Sequence, residues 1–213
     1  MAILTTEQRA AFARDGFLLV SGRIPEPVLA DGQAAMRRLL AERADAYAYG
    51  TSDFNACYTE ALCAAAAELG GEPERGAYYP VSGALAILSH PADGEWTWPG
   101  PHIDHAIPEH GHKVFPRPFR LASLLYLNDV GPRGGGTVVW PGSHRKLEAL
   151  AKSDPERFTL MATLNQAIDE AGIGEPQEVL AKAGDILFYD YLLAHSGSKN
   201  ITSVPRFALN HKW

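Results

Sequence analysis

The sequence predicts a mainly β domain with flanking helices, whose core is a double-stranded β-helix, or jelly roll. Two observations predict this fold class. The chain before Tyr78 carries helical patterns, and the chain after it breaks into short apolar or β-rich runs separated by Pro, Gly and Asp turns. Since these runs do not alternate with helices, they favour a sandwich or barrel over repeated βαβ units.

Residues 1–75 are predicted to form a mostly helical support for the core. A first helix begins at the capping box of Thr5 and Gln8, and it ends at Gly16. Two prolines open a second helix, and the alanine-rich residues 57–69 predict a third. A short apolar strand is expected directly after the first helix.

The jelly-roll core is predicted over residues 78–213, so that residues 1–213 form a single domain. A polar, helix-compatible insertion interrupts the core at about residues 147–171. Core strands are expected at residues 84–88, 101–105, 119–127, 137–140, 186–189 and 206–211. The result is a cupin-like arrangement with helices packed on one sheet.

Composition and charge exclude several classes of protein. A net charge of −6 provides no general attraction to nucleic acid or to anionic membranes. The chain carries no signal-peptide pattern and no apolar run near the roughly 20 residues that span a bilayer. Cys57 and Cys63 lie on different faces of the predicted third helix, so no disulfide is expected. We therefore expect a cytoplasmic protein that binds neither nucleic acid nor membrane, and no pattern encodes its oligomeric state.

Three short patterns carry the candidate chemistry. In His102-Ile103-Asp104, an extended strand directs the imidazole and the carboxylate to the same face. His195 follows an apolar run, where a histidine is more often a core residue than a ligand. Arg206 begins another strand eleven residues later, and a guanidinium inside a barrel is costly unless it meets an anion.

Each pattern alone is ambiguous, but the ordered set is specific. Two histidines and one carboxylate, with coordination positions left open, form the facial triad of non-haem Fe(II) oxygenases. An arginine one strand beyond the second histidine provides the charge that holds the far carboxylate of 2-oxoglutarate. The set therefore predicts an iron enzyme that uses 2-oxoglutarate.

Further segments match those of a known family. They are the opening Thr5 to Leu18, Leu125-Tyr126-Leu127-Asn128-Asp129, Gly134-Gly135-Gly136-Thr137, Trp140-Pro141-Gly142-Ser143-His144 and Ala183-Gly184-Asp185 before His195. With these segments the chain resembles the phytanoyl-CoA dioxygenase family of Fe(II)- and 2-oxoglutarate-dependent oxygenases. The resemblance extends over most of the chain.

The resemblance implies a set of site residues and cofactors. It implies that Fe(II) is bound by His102, Asp104 and His195, and that 2-oxoglutarate is bound by Arg206. It implies O2 as the oxidant and a small molecule as the substrate that is hydroxylated or otherwise oxidised at an unactivated C–H bond. Additional hydroxyl partners of 2-oxoglutarate are expected among Thr137, Ser196 and Ser198.

Asp104 narrows the reaction, because related halogenases leave the carboxylate position empty for chloride. Its presence favours hydroxylation, desaturation or ring formation. A chain of 213 residues leaves little room for a large lid or a CoA-binding region, so a small metabolite or natural-product intermediate is the expected substrate. Two alternatives stay open: a metal-dependent cupin-type enzyme that does not use 2-oxoglutarate, and a non-catalytic jelly roll that binds a ligand or iron.

The other histidines are assigned outside the triad. His105 is expected on the opposite face of its strand from Asp104, because successive strand residues alternate. His110 and His112 lie in a Pro- and Gly-rich loop that is interpreted as solvated. The alternative is that this loop covers the active site and contacts an acidic substrate. His144 is expected to belong to a structural turn.

Overall fold

The computed structural model describes residues 3–22, 24–42, 47–48, 52–71, 81 and 83–213. Its helices and strands, in chain order, are α1 (Thr6–Asp15), β1 (Phe17–Val20), α2 (Glu26–Glu42), β2 (Tyr47–Ala48), α3 (Glu60–Leu69), β3 (Leu85–Ser89), β4 (Leu121–Tyr126), β5 (Thr137–Val139), α4 (Ser143–Ser153), α5 (Met161–Gln166), β6 (Gln177–Glu178), β7 (Ile186–Asp190), β8 (His195–Gly197) and β9 (Arg206–Lys212). Short 3-10 turns lie at Ser52–Cys57, Pro108–His110 and Ile168–Ala171. The predicted boundary between helical support and core, at residues 75 to 78, lies outside the described residues.

A six-stranded antiparallel sheet lies at the centre, with the strand order β1-β7-β4-β9-β3-β2. Successive side chains of a strand point to opposite faces. In the central strand β4, Leu121 and Leu125 therefore pack on one face, while Leu124 and Tyr126 pack on the other. All four are buried, so both faces of this sheet are covered.

A three-stranded sheet, β6-β5-β8, packs on one of these faces. The apolar layer between the sheets includes Leu124 and Leu187 from the large sheet and Val138 from the small one. Helices α4 and α5 join the same layer through Leu147 and Met161, both fully buried. Two face-to-face antiparallel sheets with helices around them confirm the predicted fold class.

The helices α2 and α3 cover the other face of the large sheet. Met36 and Leu62 pack there against Leu125 and Phe188. Helix α3 begins later than predicted because Thr59 is extended (φ −62°, ψ 157°) and its side chain accepts a hydrogen bond from the backbone N–H of Leu62. Within the described residues, no helix has the length and apolar character that crossing a bilayer requires.

Helix α1 has the predicted ends. The Thr5 hydroxyl accepts from the backbone N–H of Gln8, and the Gln8 side chain accepts from the backbone N–H of Thr5, which is the reciprocal capping box. Gly16 ends the helix in the left-handed region at φ 80°. The Cys57 and Cys63 thiols are both buried and free, as predicted.

The predicted strand at residues 101–105 is wrong. His102 forms one antiparallel bridge with His195, and the chain then turns at Asp104 and His105, where His105 has a left-handed φ of 60°. Pro99 and Pro101 lack the N–H groups that a longer ladder would need, which limits the pairing to a single bridge.

Candidate metal centre

The structure brings His102, Asp104 and His195 together at one end of the space between the two sheets. One ligand atom from each lies within 4.8 Å of those of the other two. Among the described residues this is the one group of three histidine, cysteine or acidic side chains that meets this spacing. The side chains of Asp104 and His195 are 18% and 8% exposed, whereas His102 is exposed, so the group opens towards solvent on the side of His102.

A pair of backbone hydrogen bonds fixes the two histidines against each other. The N–H of His102 donates to the carbonyl of His195, and the N–H of His195 donates to the carbonyl of His102, both at 2.9 Å. Residues paired in this way stand directly opposite each other on adjacent chains. Their rings consequently lie side by side, with the centroids 4.5 Å apart.

The orientation of the His195 ring suits a metal ligand. Its Nδ1 lies 2.9 Å from the carbonyl oxygen of Leu193, which requires a proton on Nδ1. That bond leaves the lone pair on Nε2, which lies 4.0 Å from Oδ2 of Asp104. A histidine ligand whose other nitrogen donates to a carbonyl is the usual arrangement in metal sites.

Asp104 is held by hydrogen bonds on both carboxylate oxygens. The Tyr189 hydroxyl donates to Oδ2 at 3.0 Å, and the Lys212 ammonium lies 3.1 Å from Oδ1. Asn210 donates to the hydroxyl oxygen of Tyr189 at 3.2 Å and to the carbonyl of Ser123 at 3.1 Å. These contacts fix the carboxylate in place although it lies in a turn.

The protonation states of the triad match a metal-ligand set. Burial and the neighbouring His195 lower the pKa of His102 to about 4, so its ring is neutral at pH 7. Burial raises the pKa of Asp104, but the two triad histidines and Lys212 outweigh this effect and lower it below the usual value. A neutral imidazole ring and an ionised carboxylate beside a second imidazole form a donor set that suits Fe(II).

An inner cavity of about 310 Å³ connects the triad to Arg206. The arginine is buried, with 6% of its surface exposed, and begins β9 beside β3. Burial raises the pKa of Tyr126, and the positive charge of Arg206 opposes that rise. Thr137 also lines this cavity, and its hydroxyl lies 3.1 Å from that of Tyr126. The inner cavity therefore has a metal-ligand set at one end and a buried cation along its wall.

The structure does not bring Ser196 and Ser198 to this cavity. The Ser196 hydroxyl donates to the carbonyl of Pro99 at 2.9 Å, and the Ser198 hydroxyl donates to the carbonyl of Gly136 at 2.8 Å. Along β8 the side chains alternate, so His195 faces the cavity and Ser196 faces away from it. Both hydroxyls satisfy backbone groups.

The predicted placement of His105 is wrong. The turn after Asp104 keeps His105 on the same side, and both residues line an outer cavity of about 570 Å³ that also contacts His102. His110 lines the same cavity, so this part of the loop borders the outer cavity. His112 stacks on His105 with the ring centroids 4.5 Å apart.

His144 lies apart from the triad, as predicted. Its Nε2 is 3.3 Å from the carbonyl oxygen of Ala13 at the end of α1, and its ring packs against Gly16. It borders a separate cavity whose wall includes Asp190 and Tyr191.

Sequence reasoning missed three residues that surround the triad: Tyr189, Asn210 and Lys212. Two of them had a usable signal, because Asn210 and Lys212 follow Arg206 at even spacing along β9 and therefore share its face. Tyr189 had no local signal, since it depends on how β7 pairs with β4.

Comparisons with known proteins agree with this geometry. A family model described as phytanoyl-CoA dioxygenase (PhyH) matches residues 12–208. No curated protein matches the sequence significantly.

Solved structures show the same fold at low sequence identity. EctD from S. alaskensis, solved with 2-oxoglutarate and 5-hydroxyectoine, is 20% identical, with a TM-score of 0.69 over 98% of this chain and 75% of that one. The non-haem α-ketoglutarate-dependent epimerase SnoN from nogalamycin biosynthesis is 19% identical, with a TM-score of 0.66 over 96% and 79% of the two chains. The carbocyclase SnoK from the same biosynthesis is 17% identical, with a TM-score of 0.64 over 97% and 82%.

The family match confirms what the sequence predicted about the class of enzyme. The chain is an oxidising enzyme of the dioxygenase class, with iron and 2-oxoglutarate as cofactors and a triad that suits the metal. It belongs to the phytanoyl-CoA dioxygenase family.

Proposed function

We propose that His102, Asp104 and His195 bind Fe(II) and that Arg206 binds the distal carboxylate of 2-oxoglutarate. The enzyme then hydroxylates or otherwise oxidises an unactivated C–H bond of a small metabolite or natural-product intermediate. One observation carries the assignment: the inner cavity of about 310 Å³ is lined by the whole triad and by the buried Arg206. A cavity of this size suits a small molecule.

Charge complementarity supports the role of Arg206. A buried guanidinium is costly unless an anion accompanies it, and its planar donors match a carboxylate bidentately. 2-Oxoglutarate carries a carboxylate at each end, so that one end reaches the triad while the other meets Arg206. The Thr137 hydroxyl on the same wall is a second candidate partner of the cosubstrate.

The protein holds and shields the reacting groups. Bound iron, with 2-oxoglutarate and O2, supplies the oxidising power for the C–H bond. Tyr189 and Lys212 hold the carboxylate of Asp104, and the hydrogen bond to Leu193 holds the His195 ring. Leu85, Ile87 and Leu124 form the apolar part of the inner-cavity wall.

A small substrate is supported by the outer cavity of about 570 Å³, which meets the inner one at His102 and Asp104. Three of the solved structures of this fold have a small molecule in their names or complexes, a hydroxylated ectoine in one case and nogalamycin biosynthesis in the other two. Those names include an epimerase and a carbocyclase, so the scaffold accommodates several oxidative outcomes. We propose hydroxylation or a related C–H oxidation for this chain, and not halogenation, because Asp104 occupies the carboxylate position.

The test is an anaerobic titration of the protein with Fe(II) and 2-oxoglutarate, followed through the weak visible charge-transfer band of the chelate. The band is expected in the wild type and absent in His195→Ala. Arg206→Met is expected to keep Fe(II) binding and to weaken 2-oxoglutarate binding about 100-fold or more. Exposed residues of the same types provide matched controls, and His90→Ala and Arg145→Met are expected to behave like the wild type.

Each outcome of the titration has a definite meaning. A band that depends on His195 and Arg206 supports the proposal and justifies a screen of small metabolites for O2-dependent succinate release. Fe(II) binding without a chelate band would instead favour a cupin-type metal enzyme that does not use 2-oxoglutarate. An unchanged band in His195→Ala would refute the ligand assignment.

A further inference from the structure

The outer cavity carries two asparagine side chains whose amide groups are only partly used within the protein. Asn165 in α5 and Asn210 in β9 both line this cavity of about 570 Å³. The charged groups of its described wall, Lys212 and Asp104, are paired with each other at 3.1 Å. The other polar side chains of that wall are histidines and the two amides. Recognition of a ligand here therefore depends on which hydrogen-bonding groups these side chains leave free.

The amide of Asn165 presents donors. Its Oδ1 accepts a hydrogen bond from the backbone N–H of Ile103 at 2.8 Å. Because a backbone N–H can only donate, this contact fixes which end of the amide is the oxygen. The amide nitrogen has two N–H donors, and neither has a partner among the described residues. Asn165 thus offers two oriented donors to a ligand.

The amide of Asn210 presents an acceptor. Its Nδ2 donates to the carbonyl of Ser123 at 3.1 Å and to the hydroxyl oxygen of Tyr189 at 3.2 Å, so both N–H donors are used. Because a carbonyl can only accept, the contact with Ser123 fixes the nitrogen end and leaves Oδ1 as the free end. Within the described chain, Oδ1 has no partner. Asn210 lines the inner cavity as well as the outer one, so this acceptor lies where the two cavities meet.

Both groups are accessible to a ligand. The buried side-chain atoms that lack a partner in the described parts of the chain include Trp96 Nε1 and His105 Nδ1, but neither Asn165 Nδ2 nor Asn210 Oδ1. Each amide is also held in place by a backbone group before any ligand binds. Binding to such groups costs little side-chain entropy. A ligand that does not complement them leaves them unpaired, which is how a site rejects molecules that lack a hydrogen-bonding group.

The two amides require different atoms of a ligand. The donors of Asn165 need a lone pair, which a hydroxyl, a carbonyl, an ether or a carboxylate supplies. The Oδ1 of Asn210 needs a donor, which a hydroxyl supplies and a ketone, an ether or a carboxylate does not. A carboxylate at Asn210 would instead place its lone pairs against a carbonyl oxygen. A hydroxyl group therefore suits both positions, whereas a carboxylate suits only Asn165.

We propose that the substrate is an uncharged hydroxylated molecule, whose hydroxyl group donates to Oδ1 of Asn210 while a second oxygen accepts from Nδ2 of Asn165. This inference rests on the proposed function and narrows its substrate class. Asn210 is linked to the triad through Tyr189, whose hydroxyl lies 3.2 Å from the amide nitrogen and 3.0 Å from Oδ2 of Asp104. The hydroxyl of the substrate thus binds beside the metal centre, and Asn165 and Asn210 determine specificity.

The experiment compares two flexible probes, 1,6-hexanediol and its dimethyl ether 1,6-dimethoxyhexane. The diol donates and accepts, whereas the diether only accepts, and its two extra methyl groups favour burial. Each probe is titrated into the anaerobic complex of the enzyme with Fe(II) and 2-oxoglutarate, and binding is followed by the broadening of its proton NMR signals. In the wild type the diol is expected to bind about tenfold or more tightly, because the diether leaves Oδ1 of Asn210 unpaired. The acceptor is tested through the probe because Asn210 also supports Tyr189.

The variant Asn165→Asp tests the donors and keeps an acceptor for the N–H of Ile103. A hydroxyl can reverse its hydrogen bond and donate to the new carboxylate, but an ether cannot. The preference for the diol over the diether is therefore expected to widen about a further tenfold. General damage to the structure would weaken both probes equally. Gln166→Glu is the matched control, because it adds the same charge at the exposed neighbouring residue of α5 and should leave the preference as in the wild type.

The chelate band is recorded first for every variant, which separates this inference from the proposed function. Absence of the band in the wild type would refute the proposed function. With the band intact, the inference of a hydroxylated substrate is overturned if the diol does not bind, if the diether binds as tightly, or if Asn165→Asp leaves the preference unchanged. Hexanoate is the charged probe, and tighter binding of hexanoate than of the diol would also overturn it.

Discussion

The hydroxyl of Tyr189 is one of two contacts that orient the carboxylate of Asp104, at 3.0 Å from Oδ2. We expect Tyr189→Phe to keep the ring packing but to lower Fe(II) affinity about 10- to 100-fold, because groups that orient a metal ligand have effects of this size. Anaerobic Fe(II) titration in the presence of 2-oxoglutarate measures the change.

Tyr191→Phe is the matched control for this substitution. Its hydroxyl lies 3.5 Å from the carbonyl of Val114 and makes no contact with the triad. If both variants lower Fe(II) affinity equally, the effect comes from general loosening of the core and not from the contact with Asp104.

The two cysteines are expected to be unreactive in the folded protein. Burial and the nearby Asp31 raise the pKa of Cys57 to about 11, and burial with Glu60 raises that of Cys63 to about 12. At pH 8 roughly 0.1% or less of either thiol is then the reactive thiolate. Mass spectrometry after iodoacetamide treatment should show little alkylation without denaturant and alkylation of both cysteines in urea. Rapid alkylation of the native protein would contradict the buried placement.

At the residue scale, the sequence identified groups that carry their own chemical signal. His102, Asp104, His195 and Arg206 are unusual residues at informative spacings, and the structure places all four around one cavity. The partners of Asp104 were not predictable in this way. A tyrosine in an apolar strand is ordinary, and only the pairing of β4 with both β7 and β9 brings Tyr189 close to Asn210 and the carboxylate.

At the scale of single elements, the end of α1 depends on the absence of a side chain at Gly16. This residue has φ 80°, and a Cβ there would lie 2.3 Å from Nδ1 of His144. The imidazole cannot move aside without breaking its contact with the carbonyl of Ala13. We expect Gly16→Ala to lower the free energy of unfolding by about 3 kcal/mol or more, from backbone strain and overpacking together. Urea denaturation measures the loss.

Gly22→Ala separates these two effects. Gly22 also has a positive φ, 70°, but no atom lies within 4 Å of the Cβ that alanine would add. This variant should lose only about 1 kcal/mol, the cost of backbone strain alone. Equal losses at Gly16 and Gly22 would show that the contact with His144 adds nothing.

The elements differ in how well the sequence predicted them. Helix α1 was predictable because its capping box and its terminal glycine are local signals. The structure of residues 101–105 was not predictable, although their sequence has the alternating pattern that is typical of a strand. Its pairing depends on a single bridge with His195, and its course depends on a left-handed His105 that alternation does not predict.

At the scale of the whole molecule, the proposed iron and cosubstrate site is built from distant parts of the chain. Two residues of the triad lie in a turn at residues 102–104, and the third lies in β8. Arg206 lies at the start of β9. Ligands that bind only the folded state at 100 times their Kd stabilise it by about 2.7 kcal/mol. We expect Fe(II) with 2-oxoglutarate to raise the Tm by about 5–10 °C in anaerobic calorimetry.

Metal removal tests this coupling. A chelator should return the Tm to the value of the metal-free protein, and His195→Ala should show no increase on addition of the cofactors. An equal increase in the wild type and in His195→Ala would place the stabilising site elsewhere.

Different residues of strand β9 serve two tasks. Arg206, Asn210 and Lys212 face the cavities, whereas Phe207 and Leu209 pack against the helical layer. For protein engineering, this gives a rule for the design of variant libraries. Substitutions at Phe207 and Leu209 are expected to change stability, whereas substitutions at Arg206 and Asn210 are expected to change the proposed cosubstrate site and the support of Tyr189. Libraries directed at these two sets of positions in β9 can therefore change the stability of the fold and the chemistry of the site separately.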